Sequence, residues 1–243
     1  DKGKSGFSSI RNSALKLIAT LGIVSTTLGS IQAAAADDAS NIAIDFATSG
    51  DGAKNIQFIN DLTNDLGLNL QASKDGFKTL AGSLRGTNLE GEATRQIFQG
   101  VATAGGAMRL SADQIQGAYT AIGQIASKGK VQAEELRGQL GERIPGAFGI
   151  AARAMGVTQR ELDKMLSTGK ITAEDFLPKF AQELQKTFGA NAQKVADGPA
   201  AAMERYKNSV FQLQVAFGTQ LLPVVTQLLE NYIIPTISDI CRA

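Results

Sequence analysis

Apolar side chains recur at steps of three and four along most of this chain. Phe58, Ile59, Leu62 and Leu66 share one helical face, and so do Phe77, Leu80, Ala81 and Leu84. Ile97, Phe98, Val101 and Ala102 continue the pattern, and Ile115, Tyr119, Ile122 and Ile125 repeat it. Glycine or asparagine separates these stretches, which keeps the helices short. Nowhere do apolar and polar residues alternate long enough for a sheet, and β-branched runs are missing. The pattern predicts an all-α fold: a compact multi-helix domain of short helices, flanked by longer apolar or heptad-like helices.

One phrase is written twice. SKGKVQAEEL at 127–136 returns as STGKITAEDF at 167–176, with the same or a similar residue type at eight of ten places. A helix start leaves backbone N–H groups without partners, and a capping residue followed three places later by Glu, Asp or Gln satisfies two of them. Thr172 with Asp175, Thr158 with Glu161, and Ser111 with Gln114 have that spacing. Gln132 with Glu135 is a weaker form, because Gln caps poorly. Apolar residues precede each cap (Leu110, Val131, Val157, Ile171) and return five places later (Ile115, Leu136, Leu162, Phe176), the pattern of a hydrophobic staple. Gly129, Gly156 and Gly169 stand where a preceding helix must end in a left-handed residue. The repeated phrase therefore reads as helix stop, turn, helix start.

Beyond it, Pro199 suits a first helical turn, and Met203, Tyr206, Val210, Leu213 and Phe217 alternate steps of three and four. Barely two heptads long, this stripe is expected to pack on its own domain until Pro223 breaks the helix. Leu221, Leu222, Val224, Val225, Leu228, Leu229, Ile233 and Ile234 then form a run apolar on more than one face. At the other end no charge occurs from Leu17 to Ala36, a span of about 20, long enough for a membrane helix. Lys2, Lys4, Arg11 and Lys16 precede it and Ala33 to Ala36 follow, in the order of a secretory signal. Thr and Ser dilute it, so a buried or self-associating helix, a membrane-entering segment and a cleaved signal all fit. Leu17, Ile18, Leu21, Ile23, Val24 and Leu28 are its candidate membrane or oligomer contacts. The expected organisation is a basic leader and apolar helix at 1–36, a helical domain at 37–190, and amphipathic then apolar helices at 199–243, continuing into a longer parent.

Composition narrows the chemistry. With 243 residues and 43% apolar side chains the chain can bury one sizeable core or two small ones. Lys and Arg number 24 against 23 Asp and Glu, a net charge of +1 that gives no global field for nucleic acid or an anionic membrane. There is no His, and Cys241 is the lone cysteine, so clusters of Cys and His, Cys/His nucleophiles and disulfide frameworks are excluded within the chain. No cofactor or metal is expected. The GKS at 3–5 lacks the upstream glycine of a phosphate loop. Glu134, Glu135 and Glu142 invite a lysozyme-like acid pair, but Glu135 has a capping role and Arg137 and Arg143 are placed to pair with the acids within one or two turns.

The stretch from Ser127 to Gly189 resembles the core of the tape-measure domain of phage and prophage tail tape measure proteins. The resemblance is carried by Glu134-Glu135-Leu136-Arg137-Gly138-Gln139-Leu140, by Pro145-Gly146-Ala147, by Met155-Gly156-Val157 and by Gly169-Lys170-Ile171. Around these, Gly129, Thr158 and Thr172 mark the stops and starts; Gln132, where relatives often carry a better cap, departs from the pattern. The resemblance implies a structural, non-enzymatic component of a virion tail, present in the host cytoplasm during assembly, whose length sets tail length. It implies tail tube and tail-tip proteins and tail assembly chaperones as partners, copies of the same chain in the tail lumen, and release before or during DNA ejection. Transient host membrane contact is a further implication, and specific nucleic-acid binding is not one. Two rivals keep a sequence motive: a pore-forming helical protein, from the two apolar segments, and an exported all-α hydrolase, from Glu134 or Glu142.

Overall fold

A computed structural model describes residues 27–228. These residues form α1 over 27–47, then α2 (Gly52–Leu66), α3 (Leu70–Leu84), α4 (Glu92–Met108), α5 (Ala112–Lys128), a π-helical turn (Glu135–Gln139), α6 (Ala147–Ala154), α7 (Gln159–Ser167), α8 (Ala173–Ala196) and α9 (Pro199–Leu228). No strand occurs among the described residues, and the fold is all-α. The chain divides into two compact units, Ser40–Asn208 and a smaller one formed by the residues up to Ala39 together with those from Ser209.

In the larger unit the four predicted apolar faces are buried, including Ile59, Leu80, Phe98 and Ile122. At its centre α4 lies against α8, α3 packs on α5, and α6 also reaches α8. Every residue of α4 from Gly100 to Ala107 is buried, so this half of the helix is enclosed on all sides. Its run of small residues permits that enclosure. A Cβ placed on Gly100 would stand 2.7 Å from the Ala181 carbonyl oxygen of α8, so the two backbones are nearly in contact. Beside this pair Phe77 meets Phe98 edge to face, with centroids 5.2 Å apart, and Phe98 stacks on Tyr119 at 4.9 Å. The Tyr119 hydroxyl donates to the Phe98 carbonyl at 3.2 Å, and burial holds its pKa well above the usual tyrosine value.

The start of α9, as far as Asn208, is held within this unit by polar groups. Arg205 donates to the last carbonyls of α2, Asn64 at 2.7 Å and Asp65 at 3.1 Å, and to Ala196 at the end of α8 at 3.0 Å. A guanidinium there answers the negative ends of two helices. Asn208 donates to the Leu68 carbonyl (2.8 Å) and accepts from the Leu70 N–H (3.0 Å). In the smaller unit Gly218 lies against Ser30 and Ala34 so closely that a side chain at 218 would overlap the Ser30 carbonyl.

Two expectations for α9 are overturned. Its stripe does not pack on its own domain: Met203 is 54% exposed, Tyr206 65%, Val210 37%, Leu213 59% and Phe217 58%. The opposite side, carrying Ala201, Arg205 and Asn208, makes the contacts, because α2 to α8 already close their core among themselves. Pro223 does not end the helix either; it stands inside α9. Proline removes one rung of the ladder, and the intact rungs on either side keep the axis continuous.

Candidate functional site

The two near-repeats meet. α5 stops at Gly129 (φ 68°) and α7 is followed by Gly169 (φ 63°), conformations that suit a residue without a Cβ. The segments after them form an isolated antiparallel bridge, Lys130 with Thr172: the Val131 N–H donates to the Ile171 carbonyl (3.0 Å) and the Ala173 N–H to the Gly129 carbonyl (3.1 Å). This register sets Val131 opposite Ile171, the same place in each phrase, and both are fully buried.

From that shared point the segments diverge. In the second, Thr172 Oγ1 accepts from the Asp175 N–H at 3.3 Å and α8 begins. In the first, Glu135 folds back: one carboxylate oxygen accepts from the Gln132 N–H at 3.0 Å, and the other pairs with the Lys128 ammonium. Glu135 is buried while Lys128 is half exposed. The next turn is wide, since the Leu136 N–H still reaches Gln132 four residues back but the Leu140 N–H reaches Glu135 five back.

The remaining signature residues come in order. Leu136 and Leu140 are buried, Gly138 lies in the π turn, and the Gln139 carbonyl accepts from Arg143 (2.8 Å). Pro145 and Gly146 (φ 82°) turn the chain into α6. Met155 succeeds α6, Gly156 (φ 67°) reverses the chain, and Thr158 opens α7 with a reciprocal capping box. The Thr158 N–H and hydroxyl both donate to Glu161 at 2.8 Å and hold its pKa below the usual carboxylate value. Ser111 and Gln114 form the same box at α5.

The structure separates the acids that a hydrolase would need together. Glu135 is engaged with Gln132 and Lys128; Glu134 lines a hollow with Lys130, Gln132 and Thr168, whereas Glu142 lines another with Asp113, Gln116 and Arg143. A glycosidase aims both carboxylates at one bond. The expected pairing of Arg137 and Arg143 with these acids is also corrected: Arg137 bonds Asp163 at 2.8 Å and stacks on the Phe148 ring at 3.7 Å, while Arg143 turns to the Gln139 backbone. The partners of Arg137 come from α6 and α7 through tertiary packing, which local spacing does not encode. Leu17, Ile18, Leu21, Ile23 and Val24 lie outside the described residues, as do the GKS at 3–5 and the apolar residues after Leu228. Leu28 lies in α1, 54% exposed. Among the described residues no helix is long and apolar enough to cross a membrane.

Residues 28–219 match the family described as tape measure protein. A probable tape measure protein of Salmonella phage Felix O1 is 35% identical over 131 residues, 54% of this chain. The chain spans 17% of that relative's length. No solved structure matches it. The family match runs from α1 through every capped helix start and well into α9, and on that extent the chain belongs to the tape measure protein family.

Proposed function

We propose that this chain is a non-enzymatic part, with a compact helical unit at Ser40–Asn208, of a longer tape measure protein that sets tail length during phage tail assembly. The observation that carries this reading is the family match across residues 28–219. The shape of the unit refines it. A helix advances about 1.5 Å per residue, so 243 residues in one helix would reach about 365 Å. Among the described residues the longest helix, α9 with 30 residues, spans about 45 Å, and capped stops interrupt the rest. A segment built to turn back on itself is a poor ruler and a good anchor. The measuring length belongs to other parts of the parent, and this unit holds one end of it in the tail.

On this reading the parent occupies the lumen of the growing tail tube in several copies, meets tail tube and tail-tip proteins and assembly chaperones in the host cytoplasm, and leaves before or during DNA ejection. The leader and the apolar C-terminal run are the parts that would touch host membrane. In-frame removal of about 100 helical residues elsewhere in the parent should shorten tails by about 150 Å in electron micrographs. Removal of residues 40–208 should stop assembly rather than shorten tails in proportion. Tail length indifferent to the first deletion would overturn the ruler reading.

A further inference from the structure

A cavity of about 300 Å³ opens on the larger unit where three parts of the chain meet: the α2–α3 turn, the end of α4 with the start of α5, and the first turns of α9. Leu68, Leu110 and Ile115 give it an apolar lining, and Gly105 and Gly106 beside them carry no side chain to fill it. Its charges are unevenly matched. Lys207 is paired with Glu204 at 2.7 Å, whereas among the described residues no carboxylate pairs with Arg109. Arg109 also takes a left-handed backbone position (φ 55°), one that a helix end usually gives to glycine. The result is an open cation beside an apolar hollow.

We propose that this cavity binds the C-terminal residue of a partner polypeptide, with the α-carboxylate on Arg109 and an apolar side chain among Leu68, Leu110 and Ile115. Charge selects the first group. A guanidinium grips a carboxylate through two parallel N–H bonds, and Arg109 has none of its own to grip. Leu110, the next residue in the wall, then calls for hydrocarbon within one residue's reach of that anion. Only a chain's C-terminal residue carries both, because an internal Asp or Glu bears its charge on the side chain that would otherwise fill the hollow. Size agrees, since the volume stands at the lower limit of ligand cavities, about 300–1,000 Å³, which suits one residue better than a fatty acyl chain. Ser73 and Glu204 in the same lining offer acceptors to the peptide N–H, a group that a fatty acid lacks.

The test is a titration of the isotope-labelled 243-residue chain with N-acetyl-leucine, which carries the side chain, amide and carboxylate of such a terminus. The amide signals of Gly105, Gly106 and Leu110 should shift saturably in the millimolar range. N-acetyl-leucinamide, without the charge, should bind about tenfold more weakly or worse, and so should N-acetylglycine, without the side chain. Arg109→Gly should lose a similar factor while melting no lower than the wild type, because glycine suits the left-handed position; its weak binding therefore cannot come from unfolding. Signals that stay still up to the solubility of N-acetyl-leucine overturn the proposal. So does equal binding of the leucinamide, or binding that Arg109→Gly leaves intact. Octanoate bound as tightly as N-acetyl-leucine would overturn the polypeptide occupant and give the cavity to a fatty acid.

Discussion

The segments 127–136 and 167–176 share a glycine stop, a lysine, a buried β-branched residue and an acid three places after the start, yet one leads into a five-residue π turn and the other into the 24-residue α8. The difference begins at the cap. Thr172 supplies a side-chain acceptor to its own helix, whereas at the first start the acceptor is Glu135, which reaches back to the Gln132 N–H and takes Lys128 with it. Beyond the cap it widens. Gly138, Gly141 and Pro145 interrupt a regular helix, while Phe176, Leu177, Phe180 and Ala181 continue a face that α4 buries. A start signal fixes where a helix opens; the residues after it decide how far the helix grows.

The largest test of this contrast is the point the segments share. Ile171→Ala should cost about 2–5 kcal/mol in chemical denaturation, as for other buried large-to-small changes, and Val131→Ala less. Because the two residues face each other, the double variant should lose less than the separate losses combined. Near-zero effects would mean the bridge does not join the segments. Next, Glu135→Ala should cost about 1–3 kcal/mol by leaving the Gln132 N–H without its acceptor. Replacing its counterpart Asp175, exposed and bonded to Lys179, should cost under about 1 kcal/mol. Equal losses at 135 and 175 would erase the distinction between the two starts. Smaller again, Thr172→Ala should lower stability by about 0.5–2 kcal/mol, and Gln132→Ala should leave melting almost unchanged.

The smallest effect separates a full capping box from both segments. Glu161 is held below its ordinary pKa by Thr158, so it stabilises the fold above the unfolded carboxylate value, near 4.3, and that contribution fades as pH falls through the lower folded value. The melting difference between the wild type and Glu161→Gln should therefore be greatest near neutral pH and close below about pH 4. A gap that widened in acid would assign the carboxylate another partner.

Much of the local structure was legible because its chemistry is local. Ser111 with Gln114 and Thr158 with Glu161 need only residues three apart, and Gly129, Gly156 and Gly169 need only their own φ. The parts that escaped depend on neighbours distant in sequence. Gly138 and Gly141 announce an interruption after Glu135 but not that its turn will widen, and nothing near Arg137 announces Phe148 and Asp163. The periodicity of the α9 stripe was visible, but which side of that helix the body would take was settled by Arg205 and Asn208 finding carbonyls on α2 and its following turn. The meeting of the two phrases was likewise invisible, although a phrase written twice around a buried Val and Ile was the available hint.

The bridge between residues 130 and 172 also closes the intervening stretch into a lobe whose two ends touch. Lengthening such a loop is cheap, about 0.6 kcal/mol for each doubling, provided the ends keep their pairing. Ile144, Ala147, Ile150, Ala151 and Leu162 are buried and α6 packs on α8, so length can change at the exposed corners of this lobe while its helices, α5 and α8 stay where they are. Size variation in this family should collect inside that lobe, and a reporter peptide spliced into the exposed Pro145–Gly146 corner should leave the rest of the protein intact.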